Sequence, residues 1–372
     1  MKTVHITTVH QRFDSRIFYK ECLSLNEEFG DVTLIVADGK GDETVKGINI
    51  IDIGAFNSRI KRLLFASKRA VNKAASLKAD IYHFHDPDLL IAAGKLCKYG
   101  KVIFDSHEDF PKLMLQRPYI PKILRNAFFR IATFAEKRTY KKLAAVVAAT
   151  DNIKRKFEDY GQNKAVAVKN YPVIHVVNSS THTDVQDHPF TACYVGGLTE
   201  IRGVREMITV CGQADCKLIL AGPFDDETFF RQMQTLPGWK NTEYLGTVPH
   251  GELKEKVYRK SDIGLNMLLS APNHTDAIPI KQLEYMSEEL PVVATEHIKF
   301  CVEVTQKTHC GILVKPENIE ECVRAVKFLK DNKQERTQMG INGKKAVKEE
   351  YNWDKEKEKL ISLYKKLQNQ VI

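Results

Sequence analysis

The sequence predicts an α/β protein built as two doubly wound, Rossmann-like domains facing across a cleft. Three observations carry that expectation. Short apolar runs of strand length alternate with segments of helical spacing from one end to the other, the pattern of parallel sheets covered by helices. The rhythm breaks once, in "YPVIHVVNSSTHTDVQDHP" (171–189), which loses periodicity and collects Ser, Thr, His and Asp, and then resumes. The chain has 372 residues, 43% hydrophobic and 28% charged, enough for two cores of ordinary composition.

Taken in order, the strands of the first half read "KTVHITTV", "VTLIVAD", "INIIDIG", "DIYHFHD", "KVIFDSH" and "AAVVAAT", with helical segments at 16–29, 59–78 and 88–98. Those of the second half read "FTACYVGGL", "CKLILAG", "TEYLGTV", "DIGLNML", "PVVATE" and "GILVKP", followed by helices from 317 onward. The expected boundaries are 1–175 for the first domain and 190–352 for the second. The amphipathic segment 353–372 is expected to cross back onto the first domain.

The N-terminus meets polar residues too early for a secretory signal, and no apolar run approaches the ~18 residues of a membrane span. Eight cysteines lie scattered without a C-x-x-C pair, several in apolar runs, which reads as buried, reduced thiols in a cytoplasmic protein. The formal charge of +9 is uneven: residues 1–190 hold 30 Lys/Arg against 21 Asp/Glu, and the remainder balances. The excess gathers in 59–78 and 111–142, where cations mix with Leu, Phe and Ile at helical spacing and Glu136 is the one acid. Such a face suits an anionic membrane surface, so a peripheral position at the inner membrane face is expected. No helix-turn-helix, zinc-finger or RNP signature accompanies the charge, which argues against nucleic acid.

Ligands of doubly wound sheets sit beyond the carboxyl ends of the strands. There the sequence places Gly196 and Gly197, which let backbone approach a ligand, and Arg202. It also places the loop and helix of "DAIPIKQLEYMSEELPVVATE" (276–296). Pro279 suits the first turn of a helix beginning near Ile280, whose free N–H groups carry partial positive charge. Lys281 adds a cation. An anion, best a diphosphate, would be held by these amides with Lys281 and Arg202. Glu284, one turn inside the helix, would accept from ribose hydroxyls, and Asp276, in the loop, from a sugar. The bland alternative leaves Asp276 a loop acid and Glu284 a surface acid. No G-x-G-x-x-G or G-K-[ST] follows a strand, which argues against a dinucleotide fingerprint or a P-loop.

"IPIKQLEYMSEELPVVATE" resembles the E-x7-E region of retaining family 4 glycosyltransferases, and "YVGGLTEIRGV" resembles their "VGxLxxxKG" segment. "HQRFDSRIFYKECLSL", "YHFHDPDLL" and "VIFDSHEDFP" are similar to bacterial members that build surface polysaccharides. The resemblance implies a GT-B fold and sugar transfer with retention from a nucleoside diphosphate sugar, a UDP-sugar favoured over a GDP-sugar. The acceptor is expected to be a saccharide, lipid-linked and presented at the inner membrane face, and no cofactor is expected. Glu284 falls on the acid that binds ribose and Asp276 on the first acid, which is Glu in most members. Arg202 falls on the diphosphate-binding Lys, and Lys281 becomes the candidate second cation because Gly197 replaces the usual Arg. His107 matches a histidine lining the donor-sugar site. "HQRFDSR" stands where many members have a glycine-rich loop, making His10, Asp14 and Arg16 candidates for phosphate or acceptor contact. Rival readings are a GT-B nucleotide-sugar epimerase and an inactive saccharide- or nucleotide-binding protein.

"HDPD" (85–88) contains D-x-D and lies near His83, His85 and His107, so a metal site is conceivable. Asp86 before Pro87 reads more naturally as a helix N-cap, and no catalytic metal is expected. His83 and His85 alternate with apolar residues, so one is expected to pack inside and the other to face the cleft. A Ser-His-Asp arrangement from "DSHED" is disfavoured because neighbours along a strand point to opposite faces.

Overall fold

A computed structural model describes residues 1–56, 58, 62–115, 120–161, 163–174, 188–271 and 275–369. The chain forms two compact units, Met1–Asn170 with Trp353–Ile372, and Tyr171–Asn352. Most of the segment expected to connect the domains, 175–187, lies outside the described residues.

The first unit holds strands β1 (Thr3–Ile6), β2 (Val32–Val36), β3 (Glu43–Val45), β4 (Ile48–Asp52), β5 (Ile81–Phe84), β6 (Lys101–Ser106), β7 (Ala145–Ala148) and β8 (Ala165–Ala167). Their order is β3-β4-β2-β1-β5-β6-β7-β8, parallel except for β3 against β4. The second unit holds β9 (Thr191–Val195), β10 (Lys217–Ala221), β11 (Thr242–Tyr244), β12 (Ile263–Asn266), β13 (Val292–Thr295) and β14 (Gly311–Val314). These form a wholly parallel sheet in the order β11-β10-β9-β12-β13-β14. Central strands such as β2, β7, β9 and β13 are buried along their whole length because helices cover both faces. Continuous runs of Val, Ile and Ala therefore replaced alternation in the sequence.

All twelve expected strands form. Two more, β3 and β8, are three-residue edge pieces too short to announce themselves. The expected helix 16–29 begins as a π-helix, Ile17–Cys22, continues as Leu23–Phe29, and stops at Gly30, whose φ of 65° ends it. The expected helix 88–98 is instead three pieces, Pro87–Leu89, Leu90–Ala93 and Leu96–Lys98. Side-chain caps fix several helix starts: Thr150 accepts from Ile153 N–H, and Asn318 from Glu321 N–H.

The last helix, Trp353–Asn369, completes the core of the first unit. Leu360, Leu363, Tyr364 and Leu367 join Ile17, Phe18, Leu25 and Leu34, and Trp353 Nε1 donates to Ser24 Oγ at 2.9 Å. All eight cysteines are free, seven of them buried. Among the described residues no helix is long and apolar enough to cross a membrane.

Candidate active site

Each sheet has a point where the chain, having run outward on one side, returns to the other. In the second unit it lies between β9 and β12; in the first, between β1 and β5. Strand pairing ends early at β9/β12, after Gly264 meets Cys193. Beyond it the Val195 N–H donates to the Tyr285 hydroxyl at 3.0 Å. A Cβ at Gly264 would lie 2.3 Å from the Tyr285 ring, so only glycine lets that ring reach across. The strands part, and their loops diverge into a crevice mouth.

The helix Ile280–Ser287 starts directly after Pro279, as expected. Buried Gln282 anchors it, accepting from Asn266 Nδ2 at 3.3 Å and donating to Thr305 Oγ1 at 3.1 Å. On its half-buried side, Glu284 Oε2 accepts from Lys281 Nζ at 2.6 Å and from the Tyr258 hydroxyl at 3.0 Å. Asp276 is exposed and pairs with Lys299 at 3.0 Å. Lys281 and Glu284 are thus brought together, whereas Asp276 is engaged elsewhere. Arg202 is exposed at the end of the turn Glu200–Arg202 and makes no salt bridge among the described residues. The Ile201 carbonyl accepts from Leu269 N–H at 3.1 Å, which ties the Arg202 turn to the segment leading toward the helix. Gly203, at φ 75°, permits this: a Cβ there would lie 2.0 Å from Met267 O. Gly196, just past the end of β9, donates its N–H to Ala221 O at 2.9 Å, and Gly197 beside it is exposed.

The β1/β5 end of the first sheet is a dense polar network. Asp105, fully buried, accepts from Arg16 Nε at 2.9 Å and Nη2 at 2.8 Å. Its Oδ2 also lies 3.2 Å from His85 Nδ1 and 2.7 Å from His107 Nε2. As an ionised acceptor it takes an N–H from each ring, which leaves the His107 Nδ1 lone pair open on a part-exposed side chain. Burial opposes ionisation of Asp105, but Arg16 and His107 hold it well below the usual carboxylate range. His10 lies 3.4 Å from Asp14 and 3.7 Å from Asp86, its ring edge-on to His107 at 5.0 Å. Although burial works against it, Asp14 and Asp86 raise the His10 pKa. Asp14 caps the π-helix, accepting from Arg16 N–H at 2.8 Å and Ile17 N–H at 2.9 Å.

Three expectations require correction. Arg16 does not offer its charge to a phosphate or acceptor; it is buried, bidentate on Asp105, with Nη1 donating to Val168 O at 2.9 Å. His83 and His85 do not face opposite ways, because residues two apart share a sheet face; both are buried. Asp86 occupies the N-cap position but caps nothing there. Its carboxylate instead takes Thr7 Oγ1 at 3.0 Å and the Thr8 N–H.

Sequence reasoning did not single out Tyr258, Asp105 or Gly203. Asp105 could have been found two residues before His107 on one strand face; the Tyr258–Glu284 contact joins segments 26 residues apart and left no local trace.

Two doubly wound parallel-sheet units, with polar residues gathered where each sheet reverses direction, define the GT-B class. The family comparisons agree: residues 15–171 match the model of Glycosyltransferase Family 4, and residues 179–346 that of Glycosyl transferases group 1. Between them these cover most of the chain, which belongs to the family 4-type GT-B glycosyltransferases. Among solved structures, HepE of Anabaena in complex with UDP and glucose is 13% identical with a TM-score of 0.73, over 98% of this chain and 100% of that one. A sucrose-phosphate synthase from Thermosynechococcus elongatus is 14% identical at 0.73, over 99% of each chain. The lipopolysaccharide outer core galactosyltransferase WaaB is 13% identical at 0.66, over 98% and 99%. At such identities the likeness is one of fold. Comparison with curated protein sequences gives no match.

Proposed function

We propose that this glycosyltransferase moves a sugar, with retention at the anomeric carbon, from a nucleoside diphosphate sugar to a saccharide acceptor. The observation that carries the reading is Glu284, held by Tyr258 and Lys281 one turn inside a helix that opens at the β9/β12 end of its sheet. Its carboxylate is a prepositioned acceptor for ribose hydroxyls. Lys281 exchanges that carboxylate for a diphosphate oxygen when the donor arrives, and Arg202 supplies a second cation. A Cβ at Gly197 would meet nothing within 4 Å, so packing does not require glycine there; room for a ligand against bare backbone does. As the bond from the anomeric carbon to phosphate breaks, charge builds on the leaving diphosphate. Helix amides and the two cations stabilise it without a divalent ion. The acceptor hydroxyl oxygen bonds the same face of that carbon, and its proton passes to the departing diphosphate. Asp276, once it releases Lys299, is the candidate contact to the donor sugar, and His107, bonded through Nε2 to Asp105, keeps Nδ1 as an acceptor for a sugar hydroxyl.

A UDP-sugar is favoured because similarly folded structures hold UDP ligands, glucose with UDP in HepE and UDP-2-fluoro glucose in the Escherichia coli structure. A lipid-linked acceptor of surface polysaccharide synthesis at the inner membrane face fits the helix Arg125–Tyr140. Outward it shows Phe128, Ile131 (65% exposed) and Phe134 (68%), continuing from Leu124 and Ile123 (89%), among Arg130, Lys137 and Arg138. The one acid of the segment, Glu136, is turned inward onto Lys156 and Tyr160.

Incubation with UDP- and GDP-sugars and membrane lipid extract tests the reading. Acceptor-dependent release of UDP is expected, unaffected by EDTA. Interconversion of free donors would make the protein an epimerase, and tight binding without turnover a binding protein.

A further inference from the structure

A second constellation lies beneath the site, on the covered face of the first sheet. In register, His5 of β1 pairs with His83 of β5, and His85 follows two residues on. All three imidazoles therefore project from one face, with ring centres 4.8 to 5.2 Å apart. Glu21, from the π-helix lying over them, completes the group. One ligand atom from each of the four lies within 4.8 Å of every other. All four side chains are buried.

Their hydrogen bonding does not close. Asp105 takes the Nδ1–H of His85, so His85 Nε2 carries a lone pair directed at His5 Nδ1, 2.9 Å away. Satisfying that contact with a proton leaves His5 Nε2 bare, and it has no partner; nor has His83 Nε2. Neither Glu21 oxygen receives an N–H or O–H, and burial together with the neighbouring Asp105 pushes the Glu21 pKa well above the usual carboxylate range. Arg16 Nε comes within 3.0 Å of Oε1, but its N–H is spent on Asp105. Buried polar atoms without partners are costly, and these belong to four side chains that each bring a ligand atom within 4.8 Å of the others.

We propose that His5, Glu21, His83 and His85 form a buried structural site for a first-row divalent transition metal, best Zn2+. Three imidazoles and one carboxylate are a borderline donor set that suits zinc rather than magnesium or calcium, and a closed four-ligand site leaves no position for substrate. The outer partners are those a zinc site uses to orient its histidines: Asp105 holds His85 Nδ1, and the Tyr364 hydroxyl lies 2.8 Å from His83 Nδ1. The ion would pin three elements together: the β1/β5 pair, the π-helix and, through Tyr364, the C-terminal helix. It gives the π-helix, a costly conformation concentrated at functional positions, a reason to persist. The site is separate from the D-x-D acids, since Asp86 is engaged by Thr7 and Thr8. It is independent of the transfer reaction proposed above.

The full chain, expressed with and without added zinc and freed of loose metal, is to be measured by elemental analysis. About one zinc per chain is expected. Protein produced in cobalt-supplemented medium should show the intense visible bands of a tetrahedral Co2+ site. His83→Gln should abolish those bands and the bound metal, whereas His107→Ala, outside the four, should keep both. Wild-type protein containing far less than one metal per chain, without cobalt bands, overturns the proposal, as does metal retained unchanged in His83→Gln. Metal lost from His107→Ala would place the ion at His85, Asp105 and His107 and equally overturn it. Because the readout is metal content, failure here leaves the sugar-transfer reading intact, and an inactive but metal-bearing protein leaves this one intact.

Discussion

At the β1/β5 end of the first sheet, Arg16 and His85 are buried and bonded to Asp105, and Asp86, also buried, is bonded to Thr7 and Thr8. At the β9/β12 end of the second, Arg202 and Asp276 are exposed, and Lys281 and Glu284 are half-buried. The first set has already surrendered its water. Its charges are worth much to each other and unavailable to a ligand, so it acts as a rigid platform from which His107 and His10 emerge. The second set keeps its hydration and its weak pairings, which a diphosphate and a ribose can replace at low cost. Chemistry-bearing residue types occur at both places, and burial decides which of them bind and which hold.

The comparison breaks most visibly at Arg16. Arg16→Ala should leave Asp105 as an uncompensated buried charge and destabilise the protein by about 3–5 kcal/mol, read in urea unfolding. A loss below about 1 kcal/mol would mean the network is not the platform described. Gly203→Ala comes next. The positive φ and the clash with Met267 O should cost about 1–3 kcal/mol and, by displacing the Arg202 turn, weaken UDP binding. Glu284→Ala sharpens the contrast: losing an acceptor to bound hydroxyls, about 1.5–3 kcal/mol, should weaken UDP roughly 10- to 100-fold in calorimetry with little effect on folding. Unchanged affinity would remove the ribose assignment. His107→Ala should slow transfer at nearly unchanged UDP affinity, since its contact falls on the sugar. Lys299→Ala should matter least. The Asp276–Lys299 pair is exposed, and its removal should alter unfolding by no more than about 1 kcal/mol.

Much of this was readable in advance. Twelve strands, the helix beginning at Ile280 that carries Glu284, and the turns bearing Gly196 and Arg202 follow from local signals: apolar runs of strand length, Pro279 at a helix entrance, glycine after a strand. Arg16 and the histidine of the His83/His85 pair expected to face the cleft were misplaced for different reasons. The segment "HQRFDSR" stands in the sequence where many members of the resembling family carry a glycine-rich loop. Whether its arginine turns outward depends on Asp105, 89 residues away, which no local pattern reveals. The relation of His83 to His85 was open to correct inference from the two-residue period of a strand; the assumption that a polar residue must reach solvent misled it.

By itself the sequence determined two parallel-sheet units, the places where their loops gather, and the residue types available there, because periodicity, turn chemistry and composition act over a few neighbouring residues. Only the tertiary structure decided that Asp105 would collect Arg16, His85 and His107, that Tyr258 would steady Glu284, and that three histidines would converge with Glu21. Those outcomes depend on strand order and on which helix covers which face. Parallel sheets bring together segments far apart in the chain, and the burial that follows sets what each charge can do.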